Sequence, residues 1–205
     1  HVGSGNVTLS MGLKGDDATN YVLANTSMTV AGEITQLASV VYEGTAGSNW
    51  SDAASWEGGA IPDRKQGSLV DNVAKVIIGT GKTVVYDSDR VGVNTSQIDN
   101  SGTIIFNSAN AFNLANAVAG SGTLEQRGTG MLTVSGSNTM TGVLDIGDYA
   151  ATLGSANALG TGSVTSDGGK LSIASDLTLP GLTVNGSITL MSKVKTAGDQ
   201  TYNGA

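Results

Sequence analysis

Short runs of alternating apolar and polar residues extend along most of this chain, and small polar residues separate the runs. Thr123–Glu125, Met131–Val134 and Val143–Ile146 show the period of two that is typical of a half-buried β-strand. Glycine, serine and asparagine between the runs predict turns. The stretch Ala109–Ala119 has a helix-forming composition, but asparagines interrupt it, so we predict a strand with a loop there.

The runs recur at a step of twenty residues. One column along this step is aliphatic at every position, and its members are Val84, Ile104, Leu124, Leu144, Val164 and Val184. A step of this size fits one coil of a parallel β-helix, in which equivalent residues stack about 4.8 Å apart. We therefore predict an all-β fold, a right-handed parallel β-helix (β-solenoid) with about 20 residues per coil and an inward aliphatic ladder.

Glycines precede this column at the same step, and they are Gly102, Gly122, Gly142 and Gly162. Sharp corners between strands often need a positive φ, which glycine adopts without steric cost, and we predict that role for them. Aromatic residues make up only 4% of the 205 residues. The core is therefore expected to consist of Val, Ile, Leu and Ala, without large aromatic anchors.

Charge and composition argue against several classes of function. The formal net charge is −7 and the ten lysines and arginines are scattered, so nucleic acid is not an expected partner. The chain has no cysteine, which excludes disulfides, thiolate metal sites and cysteine nucleophiles. No stretch approaches the ~20 apolar residues that span a bilayer, so this segment is not expected to insert into a membrane.

Residues 120 to 146, GSGTLEQRGTGMLTVSGSNTMTGVLDI, resemble the passenger-associated strand repeat of bacterial autotransporters. That pattern repeats Gly-x-Gly-x-Leu and ends in Gly-x-Asn-x-Tyr-x-Gly, and Met140 stands here in place of the tyrosine. Asn157–Gly162 and Gly168–Leu171 resemble the continuation of the repeat. The resemblance implies a β-helix architecture and is not specific to one activity.

The segments on either side resemble parts of the same class of protein. Gly5 to Thr35 is similar to the closing strands of the YDG or MBG module of large secreted haemagglutinin-like adhesins, and the matching residues are Asp16, Asp17, Ala18, Asn20, Tyr21 and Leu23. Asn49–Pro62 resembles the tryptophan-rich lead-in that often precedes strand repeats in such proteins. Ala197–Ala205 resembles the opening of another repeat.

These matches predict the organisation of the chain. Residues 1–40 would be the tail of a small β module or capping strands, and 41–74 a tryptophan-containing lead-in or cap. Residues 75–205 would be the parallel β-helix, truncated at its C-terminus. The resemblance implies a fragment of a type V secreted adhesin, exported by two-partner secretion or as an autotransporter passenger, and located outside the cell or on the bacterial surface.

The function that this resemblance implies is a structural stalk with adhesion, in cell aggregation, biofilm formation or host attachment. The expected partners are host or bacterial surface glycans, other copies of the chain and the rest of a longer parent protein. No enzyme activity, cofactor or metal is expected. A polysaccharide-active β-helix enzyme and a glycan-binding module without chemistry are the alternatives.

Carboxylates are the candidate residues for the enzyme alternative, because cleavage of a polysaccharide needs clustered carboxyl groups on one outer face. Coil spacing places Asp145 and Asp148 near Asp167, with Glu125 on the preceding coil. Scattered solvating charge is the other interpretation of this acidic patch. The only histidine is His1, which disfavours a histidine-dependent triad or a zinc site.

Aromatic residues are the candidates for glycan binding. Trp50, Trp56 and Tyr149 would stack on a sugar if their rings are exposed, whereas the two tryptophans would otherwise plug the end of the solenoid core. Asp16–Asp17 and Asp87–Asp89 offer hard oxygen ligands, but neither matches a calcium-binding loop.

Overall fold

The chain divides into two compact units, His1–Gln36 and Leu37–Ala205, in a computed structural model that describes residues 3–62, 72–87, 97–174 and 178–204. The first unit contains the antiparallel strands β1 (Gly3–Ser10) and β2 (Ser27–Ile34) and a 3-10 turn at Ala18–Asn20.

One face of this first unit is apolar. Val7 pairs with Val30 and Leu9 pairs with Met28, so the four side chains lie on the same side of the two strands. All four are exposed.

The second unit is built of short strands. In chain order they are β3 (Val40–Val41), β4 (Ser48–Asn49), β5 (Lys75–Ile78), β6 (Thr83–Tyr86), β7 (Gln97–Asn100), β8 (Thr103–Phe106), β9 (Phe112–Leu114) and β10 (Val118–Ala119). They continue as β11 (Thr123–Gln126), β12 (Leu132–Val134), β13 (Val143–Gly147), β14 (Ala150–Leu153), β15 (Ser163–Ile173), β16 (Leu182–Leu190) and β17 (Gln200–Asn203). Two 3-10 turns, at Ala53–Ser55 and Glu57–Gly59, lie between β4 and β5.

These strands stack in parallel into three ladders. Ladder A has the order β3-β5-β7-β10. Ladder B has the order β4-β6-β8-β11-β13 and continues through the first halves of β15 and β16 to β17. Ladder C has the order β9-β12-β14 and continues through the second halves of β15 and β16. The result is a β-solenoid of about six turns with about 20 residues per coil, which confirms the predicted fold class.

The predicted aliphatic column forms the inner side of ladder B. Leu124 pairs in register with Ile104 and with Leu144, and Val164 pairs with Leu144 and with Val184. Every member of the column is at most 1% exposed. The alternation of buried and outward residues in β8, β11 and β13 follows the period of two in the sequence. The stretch 109–119 contains β9 and β10 with a loop, as predicted.

The glycine column has a different cause from the one predicted. Its four members, Gly102, Gly122, Gly142 and Gly162, all have φ outside the positive region. A Cβ on Gly142 would overlap the carbonyl oxygen of Gly122, and a Cβ on Gly162 would lie 2.5 Å from the carbonyl oxygen of Gly142. The prediction of positive φ is therefore wrong at these positions. Glycine is needed there because the backbones of successive coils approach each other too closely for a side chain.

The side chain of Asn138 makes the hydrogen bonds that a further strand of ladder A would make beyond β10. Its side chain is 3% exposed, and its Oδ1 accepts the backbone N–H of Val118 at 2.8 Å. Its Nδ2 donates to the carbonyl oxygen of Ala158, one coil further on, at 2.6 Å. One buried amide therefore joins the coils on either side of it.

We expect Asn138→Ala to lower the free energy of unfolding by about 2 kcal/mol, because it leaves a buried N–H and a buried carbonyl without partners. Urea unfolding followed by circular dichroism measures the change. The matched control is Asn157→Ala, which removes an exposed asparagine side chain from the next coil and should alter stability by less than about 0.5 kcal/mol. Equal losses in the two variants would contradict the bridging role.

Candidate functional site

Trp50 and Trp56 lie in the first coil, inside the core. Each is 2% exposed. Nε1 of Trp56 donates to the carbonyl oxygen of Trp50 at 2.8 Å, and Nε1 of Trp50 donates to the carbonyl oxygen of Pro62 at 3.0 Å. Neither indole has a free face for a sugar, so the predicted glycan-stacking role of these two residues is wrong. The two tryptophans instead have the alternative role predicted for them, which is to plug one end of the solenoid core.

The plug belongs to a continuous cluster of aromatic rings. The ring centroids of Trp50 and Trp56 are 4.7 Å apart, and that of Tyr86 lies 5.4 Å from Trp50 and 4.7 Å from Phe112. The expectation of a core without large aromatic anchors is therefore wrong at this end. The signal was present in the sequence, because Tyr149 and Tyr202 are the only aromatic residues after Phe112.

This burial predicts the fluorescence of the protein. The chain has only two tryptophans, so its indole emission reports on the plug alone. We expect acrylamide to quench the native emission weakly, and saturating glycan to leave it unchanged. Strong quenching of the native protein, equal to that in denaturant, would contradict the buried position of the rings.

Glu125 and Asp145 lie side by side on the outer face of ladder B, because β11 and β13 pair in register at these residues. Arg127 joins them. Its Nη2 lies 3.3 Å from Oε2 of Glu125 and 2.5 Å from Oδ2 of Asp145. Its Nη1 donates to the carbonyl oxygen of Gln126 at 2.9 Å. We call these three charged residues, Glu125, Arg127 and Asp145, the Arg127 cluster.

Asp145 is held on both of its carboxylate oxygens. Oδ2 contacts Arg127, and Oδ1 accepts the backbone N–H of Gly147 at 3.0 Å. Partial burial lowers the pKa of Arg127, but the hydrogen bond to Asp145 and the charges of Asp145 and Glu125 raise it above its usual value. The Arg127 cluster therefore connects two neighbouring coils through ion pairs.

Of the remaining predicted residues, Asp148 and Tyr149 lie in the turn after β13, and Asp167 lies in β15. Asp148 and Asp167 are exposed, and Tyr149 is half-buried. Oδ1 of Asp148 lies 3.3 Å from the position of a Cβ on Gly168, the residue that follows Asp167. We call Asp145, Asp148, Tyr149 and Asp167 together the acidic corner. The structure thus pairs Glu125 with Asp145 across the coils and places Asp148 beside the glycine that follows Asp167.

Glycine leaves room around the aromatic ring of the acidic corner. Gly147 has a φ of 48°, and a Cβ there would lie 3.3 Å from Nη1 of Arg127 and 3.9 Å from Cδ2 of Tyr149. The guanidinium group and the tyrosine ring therefore both lie close to the backbone of Gly147. A hydroxyl-rich ligand would meet one aromatic surface and several carboxylate acceptors at this point.

The chemistry of the acidic corner suits binding better than bond cleavage. Glycoside hydrolysis requires a pair of carboxyl groups on either side of the scissile bond, one of which donates a proton. Asp145 is fixed by Arg127 and by Gly147 N–H, so its oxygens already have donors. The carboxylates of Asp148 and Asp167 are exposed, so their oxygens are accessible to hydrogen-bond donors from solvent.

Sequence reasoning missed Arg127 as the centre of this region. Two signals point to it. Arg127 follows Glu125 by two residues, so both lie on the same outer face of the coil, and it precedes Asp145 by 18 residues, close to one coil. A basic residue so placed between two acidic ones predicts a cross-coil ion pair.

We expect Arg127→Met to lower the free energy of unfolding by about 1 kcal/mol at low salt, and by less at high salt, because the cluster is partly exposed and screened. Urea unfolding at two salt concentrations measures this. The control is Lys75→Met, which breaks the more exposed pair of Lys75 and Asp99 at 2.9 Å and should cost about 0.5 kcal/mol or less. A larger loss of unfolding free energy in the control would contradict the stabilising role of the Arg127 cluster.

Metal-binding groups are not assembled in the described part of the chain, where no three residues of Asp, Glu or His are placed to hold an ion. Asp87 instead accepts hydrogen bonds from the hydroxyl and the backbone N–H of Ser51. Residues 88 and 89 of the candidate calcium segment lie outside the described residues. Across the described ranges no helix is long and apolar enough to cross a membrane.

Comparison with known proteins adds no assignment to this site. The chain has no significant match among protein-family models, curated proteins or solved structures.

Proposed function

We propose that this chain is a segment of a secreted bacterial adhesin, in which stacked coils form a stalk and present a binding surface without catalysis. The observation that carries this proposal is the outer face of ladder B, where hydroxyl and amide side chains repeat in register. Thr83, Thr103 and Thr123 stack in successive coils, and Asn185 stacks on Asn203.

A stacked solenoid suits a stalk for a physical reason. Each coil contacts only its neighbours and adds about 4.8 Å of length, so further coils lengthen the rod while each coil keeps the same fold. The resemblance of residues 120 to 146 to passenger strand repeats supports the same function, and it is the basis for proposing a secreted or cell-surface location.

Glycans are the proposed ligands, and the acidic corner is the proposed point of contact. The half-buried ring of Tyr149 lies in the same turn as the exposed carboxylate of Asp148, and the exposed carboxylate of Asp167 lies in β15 on the next coil. Contacts of this size are individually weak, and repeated copies on a cell surface would give adhesion through multivalency.

The test is incubation of the purified chain with a panel of bacterial exopolysaccharides and host glycans, recording binding and cleaved product together. We expect saturable binding without new chain ends. Tyr149→Ala should weaken this binding about tenfold, equivalent to one stacking contact of about 1.4 kcal/mol. The control Tyr21→Ala, which removes an exposed ring from the first unit, should leave affinity unchanged.

Three results would contradict the proposal in different ways. New reducing or unsaturated ends would establish the polysaccharide-active enzyme instead. Binding that is equally strong in Tyr149→Ala would exclude the acidic corner and leave adhesion to another surface. Absence of binding to every glycan would leave the chain without the proposed ligand.

A further inference from the structure

One asparagine of the solenoid is followed by a glycine that the stacking of coils requires. Asn185 and Gly186 lie in β16, and Gly186 pairs with Ser166 of β15. A Cβ on Gly186 would overlap the carbonyl oxygen of Ser166, and the backbone there has a φ of 90°. Both the positive φ and the close approach of the two coils favour glycine, so a larger residue does not fit after Asn185.

The same sequence recurs in the next strand of ladder B. Asn203 pairs in register with Asn185 and is followed by Gly204, where a Cβ would lie 2.5 Å from the carbonyl oxygen of Gly186. The chain contains Asn-Gly only at these two positions. In both, the glycine is required by the backbone of the preceding coil.

Asparagine before glycine is chemically labile, because glycine has no side chain to hinder its own backbone nitrogen. In this reaction the backbone nitrogen of Gly186 attacks Cγ of Asn185 and loses its proton, and the side-chain nitrogen of Asn185 leaves as ammonia. Water then opens the succinimide ring. Addition of water at Cγ gives aspartate, whereas addition at the main-chain carbonyl carbon gives isoaspartate, in which the backbone runs through the side chain.

The folded solenoid restrains this reaction at Asn185. β16 lies between two parallel strands, and Asn185 pairs with Thr165 on one side and with Asn203 on the other. Oδ1 of Asn185 accepts a hydrogen bond from Nδ2 of Asn203 at 3.0 Å, which directs the amide group along the stack. Closure of the ring needs ψ of Asn185 to rotate out of the extended range, so the strand must first separate from its neighbours.

We propose that Asn185 is a site of spontaneous deamidation that reacts when β16 separates from the neighbouring strands. Aspartate at this position adds a carboxylate to the outer column of ladder B that contains Glu125 and Asp145. Isoaspartate adds a backbone atom instead, which shifts the register of the rest of β16 against both neighbours. The modified chain therefore keeps a record of each opening of these coils. The inference does not depend on the proposed adhesive function.

Peptide mass mapping of the chain in mildly alkaline buffer measures the conversion of each asparagine, with and without guanidinium chloride. We expect Asn185 to convert about tenfold faster or more in the unfolded chain than in the folded protein, and denaturant below the unfolding midpoint should raise the folded-state rate. Asn157 is the control within the same chain, because it is exposed and precedes Ala158. It should convert about tenfold more slowly than Asn185 when both are unfolded.

A matched pair of proteins separates the new charge from the longer backbone. Asn185→Asp carries the charge alone, whereas protein aged in denaturant, refolded and fractionated for isoaspartate at position 185 carries the extra backbone atom. We expect the isoaspartate form to unfold at a lower urea concentration than Asn185→Asp. Equal conversion of Asn185 in the folded and unfolded states, equal conversion of Asn185 and Asn157 in the unfolded chain, or equal urea midpoints for the two proteins would each overturn the proposal.

Discussion

Leu144→Asp is expected to lower the free energy of unfolding by about 5 kcal/mol, which approaches the whole stability of an ordinary domain. Leu144 is 0% exposed and stacks between Leu124 and Val164 in the inner column of ladder B. An aspartate there loses the packing of the leucine and places a carboxylate among aliphatic side chains without a counter-ion. Urea unfolding followed by circular dichroism measures the loss.

The matched control for this prediction is Val143→Asp, one residue earlier in β13. Its side chain points outward, so the new carboxylate remains in water, and we expect a cost of about 1 kcal/mol or less. Glu125→Ala, on the outer face of β11, should also lie within about 1 kcal/mol of the native protein. If Leu144→Asp is tolerated as well as these outer substitutions, the assignment of inner and outer faces is wrong.

The coil and its inner face were predictable because both depend on short-range pattern. Alternation along β11 or β13 decides which side chains point inward, and the step of twenty residues decides which of them stack. A one-residue error in register would expose Leu124 or Leu144, so the aliphatic column specifies the pairing strongly. The alternation within each strand and the twenty-residue step between coils bury the same side chains, so both signals predict the same fold.

Features that depend on distances between coils were not predictable in the same way. The sequence shows glycine at position 142 but not the close approach of the Gly122 carbonyl, which depends on how tightly two coils pack. Asn138 reads as a turn residue, and its role in joining two coils emerges only when the neighbouring backbone is in place.

The candidate site shows the same division. Spacing predicted that Glu125 and Asp145 would be close, and they pair in register. It did not predict that Arg127 would occupy the space between them, and it left open whether Trp50 would be exposed to a sugar or would plug the end of the core, where the structure buries it. The direction of an aromatic side chain in an irregular segment depends on the surrounding packing, which no period in the sequence reports.

The glycine column leads to the second large effect. Gly142→Ala is expected to lower the free energy of unfolding by about 3 kcal/mol or more, because the new methyl group overlaps the backbone carbonyl of Gly122, and a backbone cannot rotate out of the way as a side chain does. A second backbone atom, the carbonyl oxygen of Ser121, would lie 2.7 Å from the same methyl group. The coils must separate locally to admit it, which weakens the ladder hydrogen bonds on both sides.

Gly79→Ala is the control that separates this close approach from the general effect of replacing a glycine. Gly79 also lies at a corner of the solenoid with φ outside the positive region, but a Cβ there would meet nothing within 4 Å. Alanine at that position restricts the unfolded chain, so stability should be unchanged or rise by up to about 1 kcal/mol. The urea midpoint of Gly142→Ala should therefore fall, whereas that of Gly79→Ala should stay the same or rise. Similar losses in both would show that backbone conformation, rather than the contact between coils, explains the glycine column.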